Sequence, residues 1–150
     1  MKEDTTERLA AILKKTRPED VGHILREHSS DLVSPDDGFP VFIRKMLRSK
    51  GLRQQDVFIK ADISEGYGYK LISGEKRTRR RDTMLRLFFA AEFTLDEANR
   101  ALRLCSMPTL FPVFARDAVL MIAFNSGMHD PAAVDELLVS HGMEPLYTSH

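Results

Sequence analysis

Residues 51–74, GLRQQDVFIKADISEGYGYKLISG, decide the fold. They hold two short apolar-periodic runs either side of Asp62-Ile63-Ser64, and the second run carries Gly66 and Gly68 just ahead of EKRTRRR. A glycine pair before a basic run can be a phosphate loop, but a dinucleotide fingerprint needs G-x-G-x-x-G after a strand. Leu71 stands at the third glycine position, and IKADIS reads as helix and turn. A Walker loop needs Gly-Lys-Ser/Thr, whereas Glu75 follows Gly74. The spacing predicts two short helices joined by a tight turn. Val57, Phe58 and Ala61 form the inner face of the first, and Ile63 anchors the turn. Ser64 is placed to cap the second helix by accepting from its free backbone N–H groups. Leu71 and Ile72 bury the far end, and Ser73-Gly74 stops it.

Outward from this pair the chain reads as all-helical. Toward the N-terminus, FPVFIRKMLRSKG carries apolar residues at Phe39, Phe42, Ile43, Met46 and Leu47, a helical stripe, with Gly51 placed as a left-handed stop. SSDLVSPDDGFP is the best linker. Before it, ERLAAILKK and DVGHILREH read as two helices, Thr16 and Glu19 having capping-box spacing for the second. Toward the C-terminus, DTMLRLFFAAEF is amphipathic, Thr94 and Glu97 make a second capping box, and MPTLFP is a stiff break. VFARDAVLMIAFNSG runs to Gly127, and Asp130-Pro131 opens PAAVDELLVSHG. No strand alternation and no internal repeat is found. The expected division is an N-terminal helical arm over 1–37, a central domain over 38–106 and a C-terminal helical hairpin over 107–150.

The chain has 150 residues, 43% hydrophobic and 29% charged, as in globular proteins. No apolar run approaches the roughly 18–20 residues that span a bilayer, and MKEDTTERLAAILKK lacks the apolar core of a signal peptide, so a cytoplasmic protein without membrane contact is expected. Cys105 is the only cysteine, read as a small buried hydrophobe. A net charge of zero conceals an asymmetry: Arg44 to Arg86 holds 13 Lys/Arg against 5 Asp/Glu, a balance of +8. Such a segment is a candidate polyanion surface, or else a solvated basic face.

In register and length, GLRQQDVFIKADIS followed by KLISGEKR resembles the phage-repressor (Cro-like, XRE) helix-turn-helix family over about residues 39–93. The resemblance implies a lambda-repressor-like all-α bundle that binds duplex DNA as a transcriptional regulator, by occupying an operator. Carried over by position, the base-reading candidates are Glu65, Gly66, Tyr67 and Lys70, while Tyr69 reads as core or helix flank. Lys70 would donate to guanine and Glu65 accept from cytosine N4. Gln54 would hold a phosphate, and Lys76, Arg77, Arg79, Arg80 and Arg81 would clamp the backbone. Three positions depart from the family pattern: Phe58 replaces alanine, Asp62 replaces glycine, and Gly68 replaces isoleucine or valine. Positions 58 and 68 face each other in that fold, so Phe58 is expected over the bare backbone of Gly68 in a volume-conserving exchange. Gly66 would clear space at the helix start.

Such domains commonly read paired half-sites, so a homodimer is expected, with VLMIAF and the hairpin after it as interface unless they are buried within one chain. The competing reading is a helix-turn-helix fold reused for protein contact, through the acidic arm or the hairpin. An enzyme is not expected: there is no H-E-x-x-H, no cysteine pair for zinc and no G-x-S-x-G. No metal or cofactor is expected. Arg116-Asp117 and Asp135-Glu136 read as helix-surface charges, and His129, His141 and His150 as exposed or capping groups.

Overall fold

The computed structural model describes residues 5–32 and 38–148, and among these the chain is all-helical. Two compact units divide at Asp37–Gly38. The first contains α1 (Thr5–Lys15), a 3₁₀ turn (Pro18–Asp20) and α2 (Val21–Glu27). Thr16 is not a cap, because its hydroxyl donates back to the Ile12 carbonyl at 2.7 Å and closes α1 instead. Of the expected linker, residues 33–37 lie outside the described residues. Its last three, Gly38, Phe39 and Pro40, form the buried first turn of the next helix.

The second unit contains α3 (Gly38–Ser49), α4 (Gln54–Ala61), α5 (Glu65–Ser73), α6 (Arg81–Ala90), α7 (Leu95–Leu104), α8 (Ala115–Asn125) and α9 (Pro131–Ser140). One core runs through it, from Phe39, Ile43 and Leu47 through Val57, Phe58, Leu71 and Leu85 to Leu120, Val134, Leu138 and Leu146. Six helix ends share one device: a left-handed residue followed by an apolar one that turns back onto the core. The pairs are Gly51-Leu52, Asp62-Ile63, Glu92-Phe93, Ser106-Met107, Gly127-Met128 and Gly142-Met143. In each, the apolar residue's N–H bonds the carbonyl five residues back, as Ile63 does to Phe58 at 3.0 Å, which satisfies carbonyls the helix leaves open. Asp62, Glu92 and Ser106 hold this conformation without being glycine.

The C-terminal half contains a repeat, contrary to expectation. Helices α6 and α7 with the chain to Phe111 match α8 and α9 with the chain to Tyr147, position for position apart from one extra residue between α8 and α9. Leu85 and Leu120 match as fully buried residues, as do Leu102 and Leu138. Left-handed Glu92 matches Gly127, and Ser106 matches Gly142. The Thr94 side chain caps α7 as Asp130 caps α9. The Asn99 side chain accepts from the Leu110 N–H at 2.9 Å, and Asp135 accepts from the Leu146 N–H at 2.6 Å.

The two copies pair reciprocally, as an isologous dimer does. Helix α6 packs on α9 while α7 packs on α8. Phe89 and its counterpart Phe124 stack, ring centroids 3.7 Å apart and 8° from parallel. The Arg-Asp dipeptides that open each copy exchange partners. Arg81 reaches Asp117 at 2.5 and 3.3 Å, and Arg116 reaches Asp82 at 2.9 and 3.0 Å. The expectation that Arg116-Asp117 is ordinary surface charge is therefore wrong: Asp117 is 3% exposed and also accepts from the Phe111 N–H at 3.0 Å. Asp135 likewise serves the backbone of Leu146 and Tyr147. VLMIAF is mostly spent inside this pairing, since Leu120, Ala123 and Phe124 are buried.

Candidate nucleic-acid interface

Helices α4 and α5 are held at a fixed angle by three contacts that originate in the local sequence. Asp62 takes φ 56° and ψ 47°, reversing the chain after α4. Ile63, buried in that turn, is locked by its bond to Phe58. Gly68 brings the α5 backbone against Phe58: a Cβ on Gly68 would lie 2.6 Å from Phe58 Cδ1 and 2.7 Å from Cγ and Cε1. Phe58 is braced from another side by Tyr69, edge-on with centroids 5.0 Å apart. The expected exchange of bulk between positions 58 and 68 is present. Ser64 precedes α5 in extended conformation but its side chain makes no cap bond, contrary to expectation.

With Gly68, Leu71 and Ile72 turned inward, the face that α5 offers to solvent is Glu65, Gly66, Tyr69, Lys70 and Ser73. A Cβ on Gly66 would meet nothing within 4 Å, so Gly66 is open on the outside of the helix. Tyr67, expected to read bases, is half-buried and packs on the core. Tyr69 is 43% exposed with its ring edge-on to Phe58, at the flank of the helix as expected. The two lie about 100° either side of Gly68 on the helix, so periodicity alone could not rank them.

The basic loop divides into two parts. Its start folds back over the end of α5: the Lys76 N–H bonds the Lys70 carbonyl at 3.1 Å, and the Ser73 hydroxyl donates to the same carbonyl at 3.2 Å. The backbones of Lys70 and Lys76 thereby meet, and both residues are exposed, as are Arg77 and Arg79. At the end of the loop Arg80 is exposed and Arg81 is half-buried. The Thr78 hydroxyl accepts from the Arg80 N–H at 3.1 Å, and the Arg80 guanidinium donates to the Thr148 hydroxyl. Arg81 leaves the clamp: it is the partner of Asp117 and also donates to the carbonyls of Pro108 and Thr109, both at 3.4 Å. Gln54, the first residue of α4, is half-buried.

Arg86, 9% exposed, lies behind the turn with its guanidinium 4.8 Å from the Tyr147 ring centroid. Burial pushes its pKa down, and the charges of Asp62 and Asp135 push it back up. Burial pushes the Cys105 thiol up to about 12, with Arg77 opposing. Among the described residues no cluster of His, Cys, Asp or Glu has the makings of a metal site, and no helix is long and apolar enough to cross a membrane. No protein-family model, curated protein or solved structure matches the chain.

Proposed function

We propose that the chain binds duplex DNA as a helix-turn-helix regulator, with α5 as the helix that enters the major groove. The observation that supports this best is the exposed Tyr69–Lys70 face of α5 beside Lys76, at the head of an exposed basic loop. In this reading Glu65, Tyr69 and Lys70 meet base edges, Gly66 lets the helix start approach closely, and Lys76, Arg77 and Arg79 meet phosphates. Phosphate contacts set affinity and salt dependence, and base contacts set sequence choice. Regulation would follow from occupancy of an operator.

Fluorescence anisotropy on a random-sequence duplex across a salt series tests it. Lys76→Ala with Arg79→Ala should weaken binding and reduce the slope of log K against log salt by about 1.8, at about 0.9 for each phosphate no longer neutralised. Unchanged affinity and slope would sink the reading. Arg81 is the wrong residue for this test, because its loss strikes the fold. The competing use, protein contact through the same motif, draws on Ile59, which is 72% exposed on α4. Ile59→Lys should leave DNA affinity intact or raise it.

A further inference from the structure

The geometry points to the outer face of α8 as the contact through which two copies of this chain pair. A surface helix ordinarily turns charged and polar side chains to water. Here the outward positions are Phe114 at the cap, then Ala115, Ala118, Ile122, Asn125 and Ser126, with no charge among them. The only charges on α8, Arg116 and Asp117, are turned into the ion pairs with Asp82 and Arg81. The apolar surface continues into the preceding loop. Phe111, Val113, Phe114 and Ile122 are 51%, 77%, 63% and 63% exposed, and the Phe111 and Phe114 rings lie 5.6 Å apart.

The internal repeat shows that this face of the fold is one that gets covered. Ile122 matches Leu87, which is completely buried, and Val119 matches Met84, 3% exposed. Helix α6 carries Leu87 and Met84 and packs on α4 as well as on α7 and α9. The α8 copy keeps both positions apolar, leaving Ile122 in water and Val119 half-buried against the core.

A second copy of the chain is the occupant that fits, because the face is uncharged and therefore self-complementary. An isologous contact sets each patch against itself, so a patch of one sign would repel its twin. Antiparallel crossing at Ala118 would set Phe114 of each copy over Ile122 of the other, since eight residues of helix span about 12 Å. The small Ala115 and Ala118 let the two helices approach. At about 150–250 Å² for a whole aromatic side chain, Phe111 and Phe114 alone leave roughly 170–280 Å² in water. With Val113 and Ile122, each copy presents an apolar patch in the range of about 300–600 Å². Two such patches meeting, with their polar rim, reach the roughly 1,000 Å² that a specific interface needs.

Sedimentation velocity of the full chain between about 1 and 100 µM, without DNA, tests the pairing, the range covering ordinary micromolar dimers. The expected result is a concentration-dependent dimer of the 17.1 kDa chain. Ile122→Glu and Val113→Glu should each weaken it by about 100-fold or more, because each buries unpaired carboxylates. Both side chains are exposed in the single chain, so thermal unfolding of the variants at low concentration should match that of the wild type. A chain monomeric throughout the range overturns the proposal, as does a dimer that survives both substitutions. If one variant unfolds, the other decides, since Val113 lies in the loop and Ile122 in the helix. No DNA enters the measurement, so failure here leaves the DNA reading standing, and the salt series above can fail without touching this interface.

Discussion

Replacing Gly68 and Gly66 in turn by alanine should move stability in opposite directions, although both lie in the same helix two residues apart. In a helix either change gains up to about 1 kcal/mol from propensity. At Gly66 nothing lies within 4 Å of the new Cβ, so Gly66→Ala should stabilise, by less than the full amount because it sits in the first turn. At Gly68 the new Cβ meets three ring carbons of Phe58 at 2.6–2.7 Å. Carbon atoms pack best at about 3.5–4.0 Å, so ring or helix must move by roughly 1 Å. Phe58 has little room to do so, being 1% exposed and braced by Tyr69. Overpacking of a tight core costs about 1–3 kcal/mol, more than propensity returns. Gly68→Ala should therefore lose about 1–2 kcal/mol net, and Gly68→Val should lose more. With a urea m-value of about 1–3 kcal/mol/M, the Gly68→Ala midpoint should fall by about 0.3–2 M.

The double variant Phe58→Ala/Gly68→Val is the decisive control. Phe58→Ala alone leaves a cavity and costs about 3–5 kcal/mol. Adding valine at position 68 refills part of it, so the pair should be more stable than the sum of its singles by about 1 kcal/mol or more. A Gly68→Ala protein as stable as wild type, or additivity in the double variant, would refute the argument that Phe58 replaces the missing side chain.

Two further predictions concern charges and the thiol. Asp117→Asn should cost about 3–5 kcal/mol by urea unfolding, since it leaves the Arg81 guanidinium without its buried carboxylate. Asp82→Asn should cost nearer 1 kcal/mol, because its pair with Arg116 is more exposed, at 31% against 5% for the carboxylates; equal losses would contradict this asymmetry. The Cys105 thiol, raised to about 12 by burial, should react slowly with a disulfide reagent at pH 8 in the native chain and rapidly when unfolded. Its linkage sign follows: the unfolded thiol titrates near 8.5, so this contribution to stability is complete below that pH and is lost progressively as pH rises toward 12. Native-state labelling as fast as that of a free thiol would contradict the burial.

The exchange between Phe58 and Gly68 is legible in the sequence because one local contact ties two residues ten positions apart, and each looks wrong alone. The repeat is not legible, for a physical reason. Its equivalent positions are fixed by roles that different side chains fill equally well. A left-handed stop is Glu92 in one copy and Gly127 in the other. A helix cap is Thr94 or Asp130, and the acceptor for a leucine amide is Asn99 or Asp135. The extra residue between α8 and α9 shifts the spacing from 35 to 36 midway, so no single period aligns both helices. What survives as identical letters is little more than Arg-Asp at each opening, one phenylalanine, one methionine and three leucines. The Arg-Asp pair is the available signal, since a dipeptide placed identically at two helix starts suggests a shared partner. Its reciprocal use also explains why Arg81 passes for a clamp residue: in the sequence it is the last of a basic run, whereas its partner lies 36 residues away in the second copy. Charge runs show where cations are dense; only tertiary pairing shows which of them face water, and here Lys76 and Arg79 do while Arg81 does not.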